Sequence, residues 1–417
     1  MKAIVFHGVG DIRLDNVPEP KLEKPTDAIV RLTASAICGT DLHMIRGTVP
    51  GMKAGTVLGH EGVGVVEQLG KDVRNLRVGD RVLIPSTIAC GVCSYCREGY
   101  YAQCDGANPN GAQAGTAYFG GPGMSGPFSG LQAEKARVPF ANVGLVKLPP
   151  DVTDDQAILL SDIFPTGYFA AELAHIHPGH NVVVFGCGPV GLFCIISAKL
   201  MDAGRVFAVD SVPDRLEIAR ELGAEVINFE EEDPVEVILR LTGGIGADRA
   251  IDAVGVDACH PHRGPAARKA RGKQDAQELK EIAPLQKPDG DNWHAGDAPS
   301  QALNWAVDCL CKAGQLSIVG VYPQNDRFFP LGKAVNKNLT IRAGNCNHRR
   351  YIPHLLELVR SGVVDPTQIL TQKQPIEDAV SAYKAFDRRL PDYVKVELDV
   401  VSLHRGDGAR ATQPDVQ

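Results

Sequence analysis

No run of apolar residues in this chain approaches the roughly 20 that a membrane-spanning helix needs, so a membrane protein is not expected. There is no basic excess: 43 Lys and Arg stand against 50 Asp and Glu, a net charge of -7 that gives nucleic acid no overall hold. The opening MKAIVFHGVGDIRLDNVPEP alternates like a strand and lacks the apolar core of a cleavable export signal. Internal repeats are missing too. With 44% hydrophobic and 22% charged residues, the composition excludes intrinsic disorder and fits an ordinary soluble globular protein. Its 417 residues suit two or three domains.

Cysteine is plentiful. Five of the eleven are Cys38, Cys90, Cys93, Cys96 and Cys104; the others are scattered at 187, 194, 259, 309, 311 and 346. An odd count without an export signal fits a reducing compartment, here the cytoplasm, where clustered thiols bind metal more often than they pair.

The first ~150 residues are rich in Gly, Pro and short β-like runs such as DAIVRLTASAI and GVGVVEQLG, and read as an irregular, mostly antiparallel β domain. From about residue 165 the pattern becomes strand–helix alternation: NVVVFG, GPVGLFCIISAKLMDAG, RVFAVD, PDRLEIARELGA, EVINF, DPVEVILRLTG and ADRAIDAVG. QALNWAVDCLCKAG then reads as a helix, with QLSIVGVY and NLTIRAG as strands. Six strands alternating with helices imply a doubly wound parallel sheet, so the fold class is α/β. Residues 256–300 interrupt it with polar, Pro/Gly-rich sequence, read as a surface excursion with one short helix near QELKEI. After 345 come two helical stretches and a last strand, DYVKVELDVV; the tail at 403–417 is expected to be disordered.

Three motifs carry chemistry. Cys90, Cys93, Cys96 and Cys104 lie within fifteen residues and can close a tetrahedral Zn–S4 site with no position left open; independent thiols are the plain alternative. In GCGPVG, Gly186, Gly188 and Gly191 follow a strand, and Pro189 and Val190 open a helix whose free N–H groups suit a pyrophosphate. Asp210, nineteen residues past Gly191 at a strand end, suits a ribose 2′-hydroxyl and favours NAD over NADP; a ligand-free glycine turn is the alternative. Finally, CGTDLH (38–43) and GHEG (59–62) supply thiolate, imidazole and carboxylate groups, any of which alone passes as a core or turn residue.

CGTDLH, GHEGVG, the four-cysteine run and GCGPVG followed by Asp210 occur in this order and spacing in the zinc-dependent medium-chain alcohol dehydrogenases, which the chain resembles over roughly residues 1–400. LLSDIFPTGYFAA (159–171) resembles the branch containing glutathione-independent formaldehyde dehydrogenase, in which Asp holds the third zinc position. The resemblance implies a GroES-like catalytic domain at 1–163 and 346–402, and a Rossmann domain at 164–345. It implies two Zn²⁺ per chain: a catalytic ion on Cys38, His60 and Asp162, and a structural ion on the four-cysteine run. A helix cap is the plain alternative for Asp162. Asp41 matches the carboxylate that orients the ligating His60, and Glu61 the family's glutamate beside the metal. Thr40 and His43 match its proton relay; Lys395 falls where an Arg often binds pyrophosphate.

The activity so implied is zinc-assisted hydride transfer between a small alcohol or aldehyde and NAD. Formaldehyde is one substrate, with dismutation if NAD is retained under the 256–300 excursion. A polyol or secondary-alcohol dehydrogenase is the second reading, and a non-catalytic dinucleotide-binding zinc protein the third. The substrate pocket's walls are expected from apolar residues such as Ile88, Phe119 and Phe128. A nucleic-acid role is disfavoured because the four-cysteine loop carries only Arg97 and Glu98 as charges. A homo-oligomer is expected, a tetramer by resemblance, pairing through the edge strand near LSIVGVY.

Overall fold

The computed structural model describes residues 1–111 and 114–400; the tail at 403–417 lies outside them. In the first domain, the β-branched strand Ala28–Ile37 is almost wholly buried. It pairs antiparallel with Gly62–Leu69, Lys135–Val138 and Val396–Asp399. Residues from both ends of the chain thus share one seven-stranded sheet, in which only Gln372–Pro375 and Val396–Asp399 run parallel.

The second sheet has six parallel strands. From one edge they are Glu225–Asn228, Arg205–Asp210, Asn181–Phe185, Ala247–Asp252, Leu310–Ile318 and Thr340–Ala343. Strand order, though not strand direction, reverses about Asn181–Phe185, the crevice position where α/β sheets bind ligands. Val182–Phe185 are fully buried because helices cover both sheet faces. Pro189–Leu200, Pro213–Glu221 and Pro234–Leu241 each open on proline, whose fixed φ suits the first helical turn.

One core cluster spans both domains. Helix Ile163–Leu173 packs on Pro189–Leu200 with Phe164 stacked on Phe193, ring centres 4.6 Å apart. Gly167 permits that approach: a Cβ there would lie 2.6 Å from the Phe193 backbone. This packing fixes Asp162, one residue before the first helix, relative to the glycine turn before the second.

Three local expectations change. QALNWAVDCLCKAG is not one helix: it ends at Cys309, and Leu310 begins the strand. Leu310 is extended and registers against Ala247, and Ala313 has φ 59°, both incompatible with a continuing helix. The edge on that side of the sheet is Thr340–Ala343, since LSIV is paired on both sides. The 256–300 excursion is more than surface. Its helix Lys273–Ile282 buries Asp275 and Glu278 completely against Arg271 and Ser300. Its Trp293 is 1% exposed within the first domain's core. The Trp293 N–H and Asn292 Nδ2 donate to Asp387 Oδ2 at 2.7 and 3.0 Å. Arg46 pairs with Asp387 and with Asp257. The excursion therefore straps the two domains together.

Candidate active site

Cys38 ends strand Ala28–Ile37 and immediately precedes helix Gly39–Arg46. His60 and Glu61 lead into Gly62–Leu69. The turn before them needs glycine: Gly59 has φ +90°, and a Cβ there would meet Gln132 at 2.4 Å. Asp162 sits at a kink between helices Asp154–Leu160 and Ile163–Leu173. It occupies a helix-cap position but makes no side-chain cap bond, so the plain alternative does not account for it.

Ligand atoms of Cys38, His60, Glu61 and Asp162 all lie within 4.8 Å of one another. Asp162 Oδ2 is 3.6 Å from Cys38 Sγ and 3.3 Å from His60 Nε2. Tetrahedral zinc bonds would set these edges at about 3.5 and about 3.3 Å. The donor set therefore fits zinc, and two anionic ligands would neutralise its charge.

Asp41 Oδ2 accepts from the Cys38 N–H at 3.0 Å, while Oδ1 faces His60 Nδ1 at 3.3 Å. Burial disfavours charge on His60, but Asp41, Cys38 and Asp162 outweigh it and raise its pKa well above the ordinary value. Burial likewise works against ionised Asp162, yet hydrogen bonds from His348 and His60 hold it well below the usual carboxylate range.

Glu61 and Lys395 form a fully buried ion pair, Nζ lying 2.7 and 2.5 Å from the two carboxylate oxygens. Lys395 Nζ also donates to the Ile37 carbonyl at 3.1 Å. Its three donors are thus spent, and the expected pyrophosphate contact is corrected: Lys395 supports Glu61 beneath the ligand cluster.

The four-cysteine run folds on itself, with Cys93 and Cys104 sulfurs 3.9 Å apart against about 3.8 Å for a tetrahedral Zn–S4 edge. The Cys90 and Cys93 N–H groups point at sulfur at 3.1 and 3.4 Å. A Cβ at Gly106 would strike Cys90 Sγ at 2.7 Å. Burial opposes ionisation of Cys93, but backbone bonds from Cys96 and Asp105 bring its pKa down to about 6.

One cavity of about 470 Å³ joins Cys38, His60 and Asp162 to Gly186, Gly188, Pro189, Val190 and Asp210. The three glycines have distinct tasks. Gly186 has φ +88° in the tight turn, and a Cβ on Gly191 would lie 1.8 Å from the Gly186 carbonyl. Gly188 faces open space, with nothing nearer than Arg215 at 3.9 Å. Asp210 accepts from the N–H groups of Cys187, Ser211 and Val212.

Thr40 and His43 line the same cavity. His43 Nδ1 is 2.8 Å from Thr48 Oγ1, and Nε2 is 3.6 Å from Asp257 Oδ2. Burial pushes the His43 pKa down, against the pull of Asp257. Beside the ligand cluster the walls are Thr87, Thr116, Tyr118 and Ser125. Ile88 and Phe119 instead belong to the core, and Phe128 packs against it; their polar neighbours Thr87 and Tyr118, paired in an isolated bridge, line the cavity.

His348 was missed by sequence reasoning. Its Nε2 lies 2.7 Å from Asp162 Oδ1, although 186 residues separate the two. Nothing local distinguishes it from any histidine opening an amphipathic helix. Arg46, Asp257 and Asp387 were missed for the same reason.

Fold and site together define a two-domain α/β protein whose buried metal-ligand cluster opens into the crevice beside the glycine turn. Residues 24–150 match the alcohol dehydrogenase GroES-like domain, and 189–262 the zinc-binding dehydrogenase domain. An uncharacterized zinc-type alcohol dehydrogenase-like protein of Bacillus subtilis is 38% identical over 95% of this chain and 100% of its own. The glutathione-independent formaldehyde dehydrogenase of Pseudomonas aeruginosa is 33% identical over 97% of this chain and 98% of its own. The solved alcohol dehydrogenase from Thermus sp. ATN1 superposes with TM-score 0.79 at 35% identity, covering 96% of this chain and 100% of that one. The chain belongs to the zinc-type medium-chain alcohol dehydrogenase family, and is a zinc-containing oxidoreductase acting on alcohols. Among the described residues no helix is long and apolar enough to cross a membrane.

Proposed function

We propose that the protein transfers hydride between short alcohols or aldehydes and NAD, with one zinc on Cys38, His60 and Asp162 and a second on Cys90, Cys93, Cys96 and Cys104. The observation carrying this reading is that the first ligand set and the glycine turn open into a single cavity. When bound, the zinc supplies Lewis acidity at the substrate oxygen and the nicotinamide accepts hydride.

The chain's own residues do the rest. Asp41 orients His60 through its second ring nitrogen. Thr40 receives the substrate hydroxyl's proton, and His43, kept neutral by burial, passes it towards solvent. Open space at Gly188 would let a pyrophosphate approach the backbone, and Asp210 on the cavity wall would accept from a ribose hydroxyl. The strap at 256–300 ties the domains together beside the shared cavity and would hinder release of a bound NAD, which supports cofactor retention and aldehyde dismutation.

Formaldehyde is the first substrate to test, given the Asp162 ligand set and the Pseudomonas relative. The hydroxyl-lined wall of Thr87, Thr116, Tyr118 and Ser125 favours a second reading, oxidation of diols or polyols. The exposed edge strand Thr340–Ala343 would pair copies into a cytoplasmic homo-oligomer, a tetramer by resemblance. Zinc quantification with NAD-linked turnover of short aldehydes, alcohols and polyols tests the whole. Asp162→Ala should leave one zinc per chain and no turnover; unchanged zinc and full activity would overturn the assignment.

A further inference from the structure

Asp162 divides its two oxygens between two tasks. Oδ2 faces Cys38 Sγ and His60 Nε2, where the metal would sit. Oδ1 is 2.7 Å from His348 Nε2 and accepts from Thr166 Oγ1 at 3.1 Å. A carboxylate only accepts, so the His348 proton belongs on Nε2, and Nδ1 then accepts from Thr87 Oγ1 at 3.2 Å. All these groups except Thr166 are more than nine-tenths buried.

The preceding residue reaches the other metal site. Asn347 Oδ1 accepts from the Ala102 N–H at 2.9 Å, and Ala102 lies between Cys96 and Cys104. Asn347 immediately precedes, and His348 begins, helix His348–Arg360. That first turn is held by the four-cysteine loop on one side and grips Asp162 on the other.

We propose that Asn347 and His348 are a positioning link: the four-cysteine loop sets the start of helix His348–Arg360, and His348 turns one Asp162 oxygen towards the catalytic metal. This rests on the metal assignment made above. It gives the four-cysteine loop a task besides its own stability, and it explains how a carboxylate can serve as a fixed ligand beside Cys38 and His60. A carboxylate swings unless its other oxygen is held; a thiolate has no second donor atom to hold.

The test uses the full chain, with zinc left in the four-cysteine loop and cobalt placed in the other site. In His348→Asn the amide ends too near the backbone to reach Asp162; in His348→Gln it reaches about as far as the ring Nε2. Both side chains are polar, which protects folding. His348→Asn should weaken metal binding at Cys38, His60 and Asp162 by about 10- to 100-fold and shift the cobalt absorption bands. His348→Gln should restore most of the affinity, and Asn347→Ala should act in the same direction as His348→Asn, more weakly. In an Asp162→Cys background, His348→Asn should change affinity by less than about 2-fold, because the coupled partner is gone.

Wild-type affinity and spectrum in His348→Asn, no advantage of Gln over Asn, or an equal loss in the Asp162→Cys background would each overturn the link. A wild-type chain holding only the four-cysteine metal would overturn the dehydrogenase reading, and this one with it. Two metals with His348→Asn unaffected would overturn the link alone.

Discussion

Replacing Lys395 with methionine isolates one fully buried ion pair beside the site. Lys395 and Glu61 are both 0% exposed, and the ammonium bridges both carboxylate oxygens. Methionine keeps the apolar stem and removes the charge. Glu61 is then a buried carboxylate without its cation. Breaking such a pair from one side costs about 3–5 kcal/mol, because the remaining charge loses its partner and cannot regain water. For a domain of this size that corresponds to a fall in melting temperature on the order of 10 °C. Replacing both partners, as Lys395→Met with Glu61→Met, removes the stranded charge and should recover all but about 1–2 kcal/mol. Thermal unfolding of the zinc-loaded single and double variants measures this directly. A single variant within about 1 kcal/mol of wild type, or a double variant as unstable as the single, would refute the reasoning.

Other predictions follow from the same geometry. His43→Gln should lower kcat by up to about 100-fold near neutral pH, with recovery at alkaline pH where hydroxide can take the proton; steady-state kinetics across pH will show it. Cys96→Ser should cut zinc from two to one per chain and expose the 90–104 loop to protease, read by metal analysis and limited proteolysis. Glu397 has its pKa raised from 4.5 to about 7, chiefly by burial and against the pull of Lys373. Its contribution to stability is therefore complete below pH 4.5 and lost as pH rises through about 7. Glu397→Gln should match wild type near pH 5 and melt about 2–4 °C higher near pH 8 in parallel thermal scans.

Local chemistry settled much of this protein in advance. The alternation after residue 165 specified a parallel sheet because each strand–helix unit carries its own periodicity and its own stop signals. The four cysteines and the GCGPVG turn were legible because short spacing alone brings their atoms together. The family order of motifs named Cys38, His60 and Asp162, which the fold gathers from three distant segments.

Long-range packing decided the rest. Lys395 left the expected pyrophosphate position for Glu61, since an ammonium buried with a carboxylate 334 residues away satisfies all its donors. The 256–300 excursion looked superficial because its buried Asp275 and Glu278 are charged, and because Arg46 and Asp387, the partners of Asp257 and Trp293, lie far away in sequence. His348 carried no local mark at all. Periodicity and spacing encode what happens within a turn or two of chain; where a polar side chain is buried depends on which strangers in sequence become its neighbours in space, and only the folded chain sets that.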